Sequence, residues 1–337
     1  MHFAFTDDQK MLRDTVREVL LRECAPDVVR GAWEGRPEGA HSVWDTLATT
    51  GFIGMAASER AGGMGMSELD LVLPLEETGY AALPGPLVDT IAVGIPLLES
   101  AGTDEQRNRW LGSAVAGEAR IIVAFEDQDI VPHARVADLL LAERGGNGYC
   151  VPMTDVSVSP ERSVDRAREL GRIAFDARPE YAMRQDVDLP SLLARSRDRA
   201  ALGAAAQLIG LSRRMLDMAV RYAKDREQFG KPIGAQQAVK HRLANALIEQ
   251  ELARPLVYRA GWSLRTSAPD APVAVSLAKI YAGQAAKFVA KQALQVHGAI
   301  GYTIECDLHM WMKRAWALAA THGDAAYHRE RVGRHIL

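Results

Sequence analysis

"DREQFGKPIGAQQAVKHRLA", residues 225–244, decides the reading of this chain. Apolar residues recur at helical spacing on both sides, so the stretch interrupts two long helices. Gly230 is suited to end the first, and Pro232 forbids simple continuation. Arg226, expected in the last turn, offers a planar fork of donors suited to phosphate. Phe229 offers an aromatic face, and Gln228 and Gln237 offer amides that can read a heterocycle's edge. Together these suit a nucleotide cofactor. The plain alternative is a helix hairpin whose C-terminal Arg satisfies helix carbonyls.

Upstream, "ALGAAAQLIGLSRRMLDMAVRYAKD" has the composition of a long buried helix, its Ala and Gly letting neighbours approach closely. Downstream, "QQAVKHRLANALIEQELARPLVYRAGWSLR" places Val239, Leu243 and Leu247 on one face, with a kink expected at Pro255. A third helix, "APVAVSLAKIYAGQAAKFVAKQALQVHG", stops at Gly298, and shorter ones are expected near 307–319 and 323–335. Trp311, Met310 and Trp316 read as core or interface, and His241 and Arg242 as solvated or interface residues.

At the other end, Thr6 and Gln9 form a capping-box pattern ahead of Leu12, Val16, Val19 and Leu20. "GFIGMAASERAGGMGMS" breaks the pattern at Gly51, Gly62, Gly63 and Gly65, and helix is expected from Leu69 to about Gly117. Near residue 119 the pattern changes. "ARIIVAFED" and "VADLLLAERGGNGYCVPM" are short β-branched runs around a "GGNG" turn. The expected plan is mainly α with a small β domain. An N-terminal helical domain spans 1–118, a middle β domain 119–186 and a helical bundle 187–337.

The bulk composition excludes several classes. At 48% hydrophobic and 25% charged, the 337 residues suit a globular core. A net charge of −3 argues against a nucleic-acid surface. Cys24, Cys150 and Cys306 lie far apart, which fits a reducing cytoplasm and neither a disulfide framework nor a metal site. The acidic "MHFAFTDDQK" is not a signal peptide. No apolar run approaches the ~18 residues that cross a bilayer.

A second stretch, "QVHGAIGYT" at 295–303, puts Gln295 on a last helical turn and Gly298 and Gly301 in a loop that can approach a phosphate. The two stretches at this spacing, with the early "ASERAGGMGMS" loop and the late "IECDLHMWMKRA", resemble the acyl-CoA dehydrogenase family over nearly the whole chain. The resemblance implies an N-terminal helical domain, a β-barrel and a C-terminal four-helix bundle. It implies FAD, an acyl-CoA substrate and an electron-transfer flavoprotein as acceptor. It assigns Arg226 to the FAD pyrophosphate and Gln228, Phe229 and Gln237 to the adenine side. It carries Gln295, Val296, His297, Gly298 and Ala299 to the FAD of a neighbouring subunit, in a tetramer.

The chain departs from the family where the chemistry is done. Most members place a catalytic Glu before a Gly; here His322 precedes Gly323. A minority place it on the first bundle helix; here that position is Ala200. His322 can itself accept a proton, with an ordinary pKa of ~6.5. The alternatives are a carboxylate such as Asp198, Asp324 or Glu305, or a base supplied by a partner chain. The flavin-holding stretch of the middle domain is reduced to "VAFEDQD", with about forty residues of β structure absent, so the shortened barrel is expected to hold the flavin ring poorly. Asp198 matches a position that contacts the CoA arm, but the Arg often found three residues later is Ala201.

This pattern resembles the short subunits of actinobacterial α2β2 acyl-CoA dehydrogenases, many of which act on steroid side-chain or other bulky thioesters. The expected function is FAD-dependent α,β-dehydrogenation within such a complex, or within a homotetramer. The rival readings are a catalytically silent subunit completing a partner's FAD site, and a flavin oxidase or monooxygenase on the same fold.

Overall fold

The computed structural model describes residues 4–126 and 128–337. Met1, His2 and Phe3 of the N-terminal stretch and Asp127 of "VAFEDQD" lie outside the described residues. The helices, in chain order, are α1 (Asp7–Glu23), α2 (Pro26–Trp33), α3 (Glu38–Thr49), α4 (Glu68–Ala81), α5 (Ile95–Ala101) and α6 (Asp104–Val115). After the strands come α7 (Leu189–Asp225), α8 (Gln237–Arg265), α9 (Ala271–His297), α10 (Leu308–Ala320) and α11 (Ala325–Ile336). The strands are β1 (Ile121–Ala124), β2 (Ile130–Val131), β3 (Leu139–Arg144), β4 (Asn147–Pro152), β5 (Ser157–Pro160) and β6 (Gly171–Ala174). A short pair, β7 (Glu227–Gln228) and β8 (Lys231–Pro232), lies between α7 and α8.

Packing divides the chain into two compact units. One holds the chain up to Arg30, Val72–Leu83 and Ala201–Leu337; the other holds Gly31–Leu71 and Pro84–Ala200.

The first unit is helical. The capping box at its start forms, with Thr6 N donating to Gln9 Oε1 at 2.9 Å and Gln9 N to Thr6 Oγ1 at 3.2 Å. Within it α4 and α7 touch backbone to backbone, because glycines stand at the contact. A Cβ at Gly210 would overlap the Glu76 carbonyl oxygen and lie 2.6 Å from Tyr80 N. A Cβ at Gly79 would lie 2.6 Å from Gln207 Cα. Beside this contact Glu76 and Glu77 are buried and need partners. Arg213 donates to Glu76 at 3.0 Å and to Glu77 at 2.5 Å. Arg17 donates to Glu77 at 3.2 Å and the Tyr258 hydroxyl to Glu76 at 3.0 Å. The network ties α1, α4, α7 and α8 together. Burial pushes the Glu76 carboxyl up, and Arg254 and Arg213 oppose that shift. Trp311 and Met310 are core residues, with Trp311 Nε1 donating to Tyr80 O at 2.9 Å, while Trp316 is exposed.

The second unit contains two three-stranded sheets, ordered β1-β3-β4 and β2-β6-β5. β1 runs parallel to β3; the other pairs are antiparallel. Ile122, Leu140 and Val151 of one sheet meet Val131 and Ile173 of the other in a single apolar cluster.

Two local readings are corrected. Helix from Leu69 to Gly117 is interrupted after Ala81 and contains a π-helical segment, Val88–Gly94. α7 ends at Asp225, so Arg226 lies just beyond the helix and Gly230 does not end it. Pro255 lies inside α8, which runs through it from Gln237 to Arg265.

The α4–α7 contact leaves no room for a methyl group. Gly210→Ala is expected to cost about 3 kcal/mol, since the clash is with backbone that cannot rotate away. Urea denaturation of the variant beside Gly112→Ala, where a Cβ meets nothing within 4 Å, checks this.

Candidate functional site

The interruption at 225–237 is a tight hairpin. β7 pairs with β8 in antiparallel register, Gln228 opposite Lys231. The two turn residues, Phe229 and Gly230, have φ of 55° and 74°. Two successive left-handed residues make a type I′ reversal, which costs little at Gly and more at Phe. Arg226 N still donates to Tyr222 O at 2.8 Å, and Ile233 N donates to Arg226 O at 2.8 Å, so both ends of the hairpin are tied to the helix end.

The side chains that this turn carries point to solvent. Arg226, Gln228 and Gln237 are exposed, and Phe229 is 93% exposed. A Phe held in a costly conformation and left uncovered stands out on this surface. α8 continues the surface with Leu247, Ile248 and Leu252 at 47%, 54% and 67% exposure. Leu247 thus belongs to an apolar face that this chain does not bury.

The second stretch meets the first through an aromatic contact. Tyr222 of α7 stacks on His297 of α9, with ring centroids 4.6 Å apart and planes at 23°. His297 Nδ1 donates to Ala293 O at 2.8 Å, and burial lowers the ring's pKa. Arg242 donates to Gln292 at 2.9 Å, which links α8 to α9. Val296 and His297 are buried; Gln295 and Ala299 are exposed and Gly298 is half-buried. Gly298 has φ 65° and ψ −139°, a conformation open to glycine alone. Of residues 295–299, Gln295, Gly298 and Ala299 are therefore the accessible ones, with His297 as their internal support.

The turn after α10 holds His322, half-buried, with φ 55°. Its carbonyl accepts from His328 Nε2 at 3.0 Å. Lys279, buried on α9, donates to Ala319 O at 3.1 Å and Gly323 O at 3.0 Å. Burial pushes the Lys279 amine down to about 7 and the His328 ring down to about 4, with repulsion from Lys279 adding to the second shift. Asp324 is committed elsewhere: its carboxylate accepts from Ala326 N and Tyr327 N and caps α11. Those backbone bonds hold its pKa below the usual range, which leaves it a poor base. Glu305 is exposed on the loop before α10.

In the other unit, Asp198 is buried on α7 and Ala200 beside it is fully buried. In "VAFEDQD", Phe125, Glu126 and Gln128 are bonded by the chain itself. Arg144 donates to Phe125 O at 3.3 Å and Gln128 O at 3.0 Å. Glu126 accepts from Gly145 N and Gly146 N at 3.0 and 3.1 Å. Arg197 pairs with Glu143 and lies over the Phe125 ring. Sequence reasoning missed Tyr222, Lys279, His328 and Arg144. Lys279 alone had a visible signal, a lysine inside the apolar run "SLAKIYAG".

Residues 6–118 match the acyl-CoA dehydrogenase N-terminal domain, and residues 194–337 match the acyl-CoA dehydrogenase C-terminal domain. The chain is 31% identical to acyl-CoA dehydrogenase IpdE2 of Mycobacterium tuberculosis, over 95% of this chain and 92% of that protein. Among solved structures it resembles the ChsE4–ChsE5 complex from Mycobacterium tuberculosis, with 25% identity, a TM-score of 0.87 and coverage of 100% and 99%. It also resembles the Tcur3481–Tcur3483 steroid acyl-CoA dehydrogenase, with 26% identity, a TM-score of 0.86 and coverage of 98% of both chains. The FAD complex of PigA shares the fold, with 19% identity, a TM-score of 0.85 and coverage of 100% and 99%. Among the described residues no helix is long and apolar enough to cross a membrane.

His328 makes a pH-dependent contribution of known sign. An unfolded ring takes up a proton near 6.5, while the folded ring stays neutral down to about 4. The unfolded state therefore binds more protons in that window, and stability falls as pH drops through it. Urea midpoints measured from pH 7 to 4 should fall less steeply in His328→Gln than in the parent chain.

Proposed function

Because the chain belongs to the acyl-CoA dehydrogenase family, a family of oxidoreductases acting on CH–CH bonds, we propose that it is one subunit of a heteromeric, FAD-dependent enzyme that α,β-dehydrogenates an acyl-CoA thioester. The observation that carries this is the exposed hairpin, a guanidinium and a strained aromatic ring beside an uncovered apolar helix face. FAD, when bound, accepts the hydride from the substrate's β-carbon. Arg226 would hold its pyrophosphate, Phe229 would pack on its adenine, and Gln228 and Gln237 would bond the adenine edge. Gln295 and the backbone at Gly298 and Ala299 would meet the FAD of the neighbouring chain.

These donors fit the dinucleotide arm. The middle region fits the flavin ring poorly, since Arg144 takes the Phe125 and Gln128 carbonyls of its cradle segment and the Glu126 carboxylate is bound by Gly145 N and Gly146 N. A homologous partner chain then holds the ring and supplies the carboxylate that takes the α-proton, as Ala200 and His322 stand at the two family positions. The solved heteromeric relatives support such a partner, and the Tcur3481–Tcur3483 steroid acyl-CoA dehydrogenase supports a bulky, steroid-derived acyl group. Electrons would pass on to an electron-transfer flavoprotein. Cys24 and Cys150, buried thiols pushed up to about 12, and the free Cys306 suit a cytoplasmic location.

A second reading, in which His322 takes the proton itself, is favoured by one observation: its turn is left-handed and held by Lys279 and His328.

Co-purification with a co-expressed homologous acyl-CoA dehydrogenase chain, followed by a count of flavin, tests the proposal. About one FAD per pair of unlike chains is expected, and Arg226→Met should weaken FAD binding at least tenfold, the loss of charge-assisted hydrogen bonds. A colourless complex, or full flavin in the variant, would sink it.

A further inference from the structure

We propose that Lys279 and His328 are positioning residues: they hold the 319–323 turn in the left-handed form that presents the His322 ring. The three carbonyls they take, those of 319, 322 and 323, belong to one reversal. The nitrogens come from two different helices, α9 and α11, and both side chains are buried, at 2% and 1% exposure. With Nε2–H given to the His322 carbonyl, His328 presents Nδ1 to Ser276. That hydroxyl, 3.2 Å from Nδ1 and 2.8 Å from Pro272 O, has one hydrogen to give to either.

The 319 carbonyl is buried at the end of α10 and those of 322 and 323 are half-buried, so they need partners from the protein itself. Supplying them with a buried amine and a buried imidazole carries a desolvation cost, visible in the lowered pKa values of both groups. The cost is matched by strain. His322 has φ 55° and Gly323 has φ 92°, and a Cβ at Gly323 would press on the Tyr327 ring and lie 2.8 Å from His328 Nε2. A non-glycine residue is kept in a sparsely populated conformation only where its surroundings over-determine it. Here the surroundings are those two nitrogens.

The turnover part of this inference rests on the second reading above, in which His322 takes the proton, and the test separates that reading from the holding of the turn. The test uses the co-purified complex, with Lys279→Met, Lys279→Arg, His328→Gln and His322→Ala. Amide exchange of residues 319–325 is followed by mass spectrometry, together with the rate at which diethyl pyrocarbonate modifies His322. Lys279→Met and His328→Gln should speed exchange in this turn about tenfold and change the His322 modification rate, with the middle of α9 unaffected. Lys279→Arg should restore both. In turnover, Lys279→Met should lower kcat more than it raises KM, and should add nothing to the loss caused by His322→Ala. Unchanged exchange and modification in a folded Lys279→Met or His328→Gln would overturn the inference. So would exchange that rises equally along α9, α10 and α11, which marks a packing role only. If exchange and modification respond as expected but His322→Ala turns over normally, the turn is held as proposed and the role of His322 in the reaction is what fails.

Discussion

Two consecutive residues with positive φ, Phe229 and Gly230, reverse the chain between its two longest helices, and the candidate site depends on that reversal. A type I′ turn makes the strands beside it short and tight. It brings Ile233 back to the Arg226 carbonyl and lets α8 start beside the end of α7. The guanidinium, the aromatic ring and two amides are thereby gathered within a dozen residues at one corner of the helical unit. The strain at Phe229 explains why the ring is displayed and not folded in. Relaxing φ would break the β7–β8 register that the next helix needs.

Buried charge performs two different tasks in this unit. Around Glu76 and Glu77 it joins helices at a glycine-lined contact where no side chains could interdigitate, and every carboxylate has an arginine or a phenol. Around His322, buried titratable groups hold a turn instead, with the Lys279 amine lowered to about 7 and the His328 ring to about 4 by burial. The first arrangement is a matter of packing, because removing one partner leaves an uncompensated charge. The second concerns conformation, because the two nitrogens fix a half-buried turn whose His322 has a positive φ. The sheets of the other unit show a third outcome. With its β region shortened, the chain uses Arg144 and Glu126 to satisfy its own cradle segment.

Much of this was legible in the residues. The capping box at Thr6, the buried Ala-rich face of α7, the stop at Gly298 and the exposed set of Arg226, Phe229 and Gln237 all follow from local chemistry. Local signals also misled. Gly230 and Pro232 look like a helix stop, but the stop falls at Asp225 because the turn forms a paired hairpin and needs two residues on each side. Val296 and His297 share a motif with Gln295, yet helical geometry turns them inward, where His297 meets Tyr222 from 75 residues earlier.

What the sequence determined by itself was whatever depends on neighbours along the chain: helix periods, caps, the position of the reversal, and the absence of a carboxylate at positions 200 and 322. Only the tertiary structure decided which polar groups meet. Lys279 reaches carbonyls 40 and 44 residues away, and Arg213 reaches glutamates more than 130 residues away. Such pairs carry no local signature, because they are set by burial: a charged group taken from water must find a partner wherever the fold has put one.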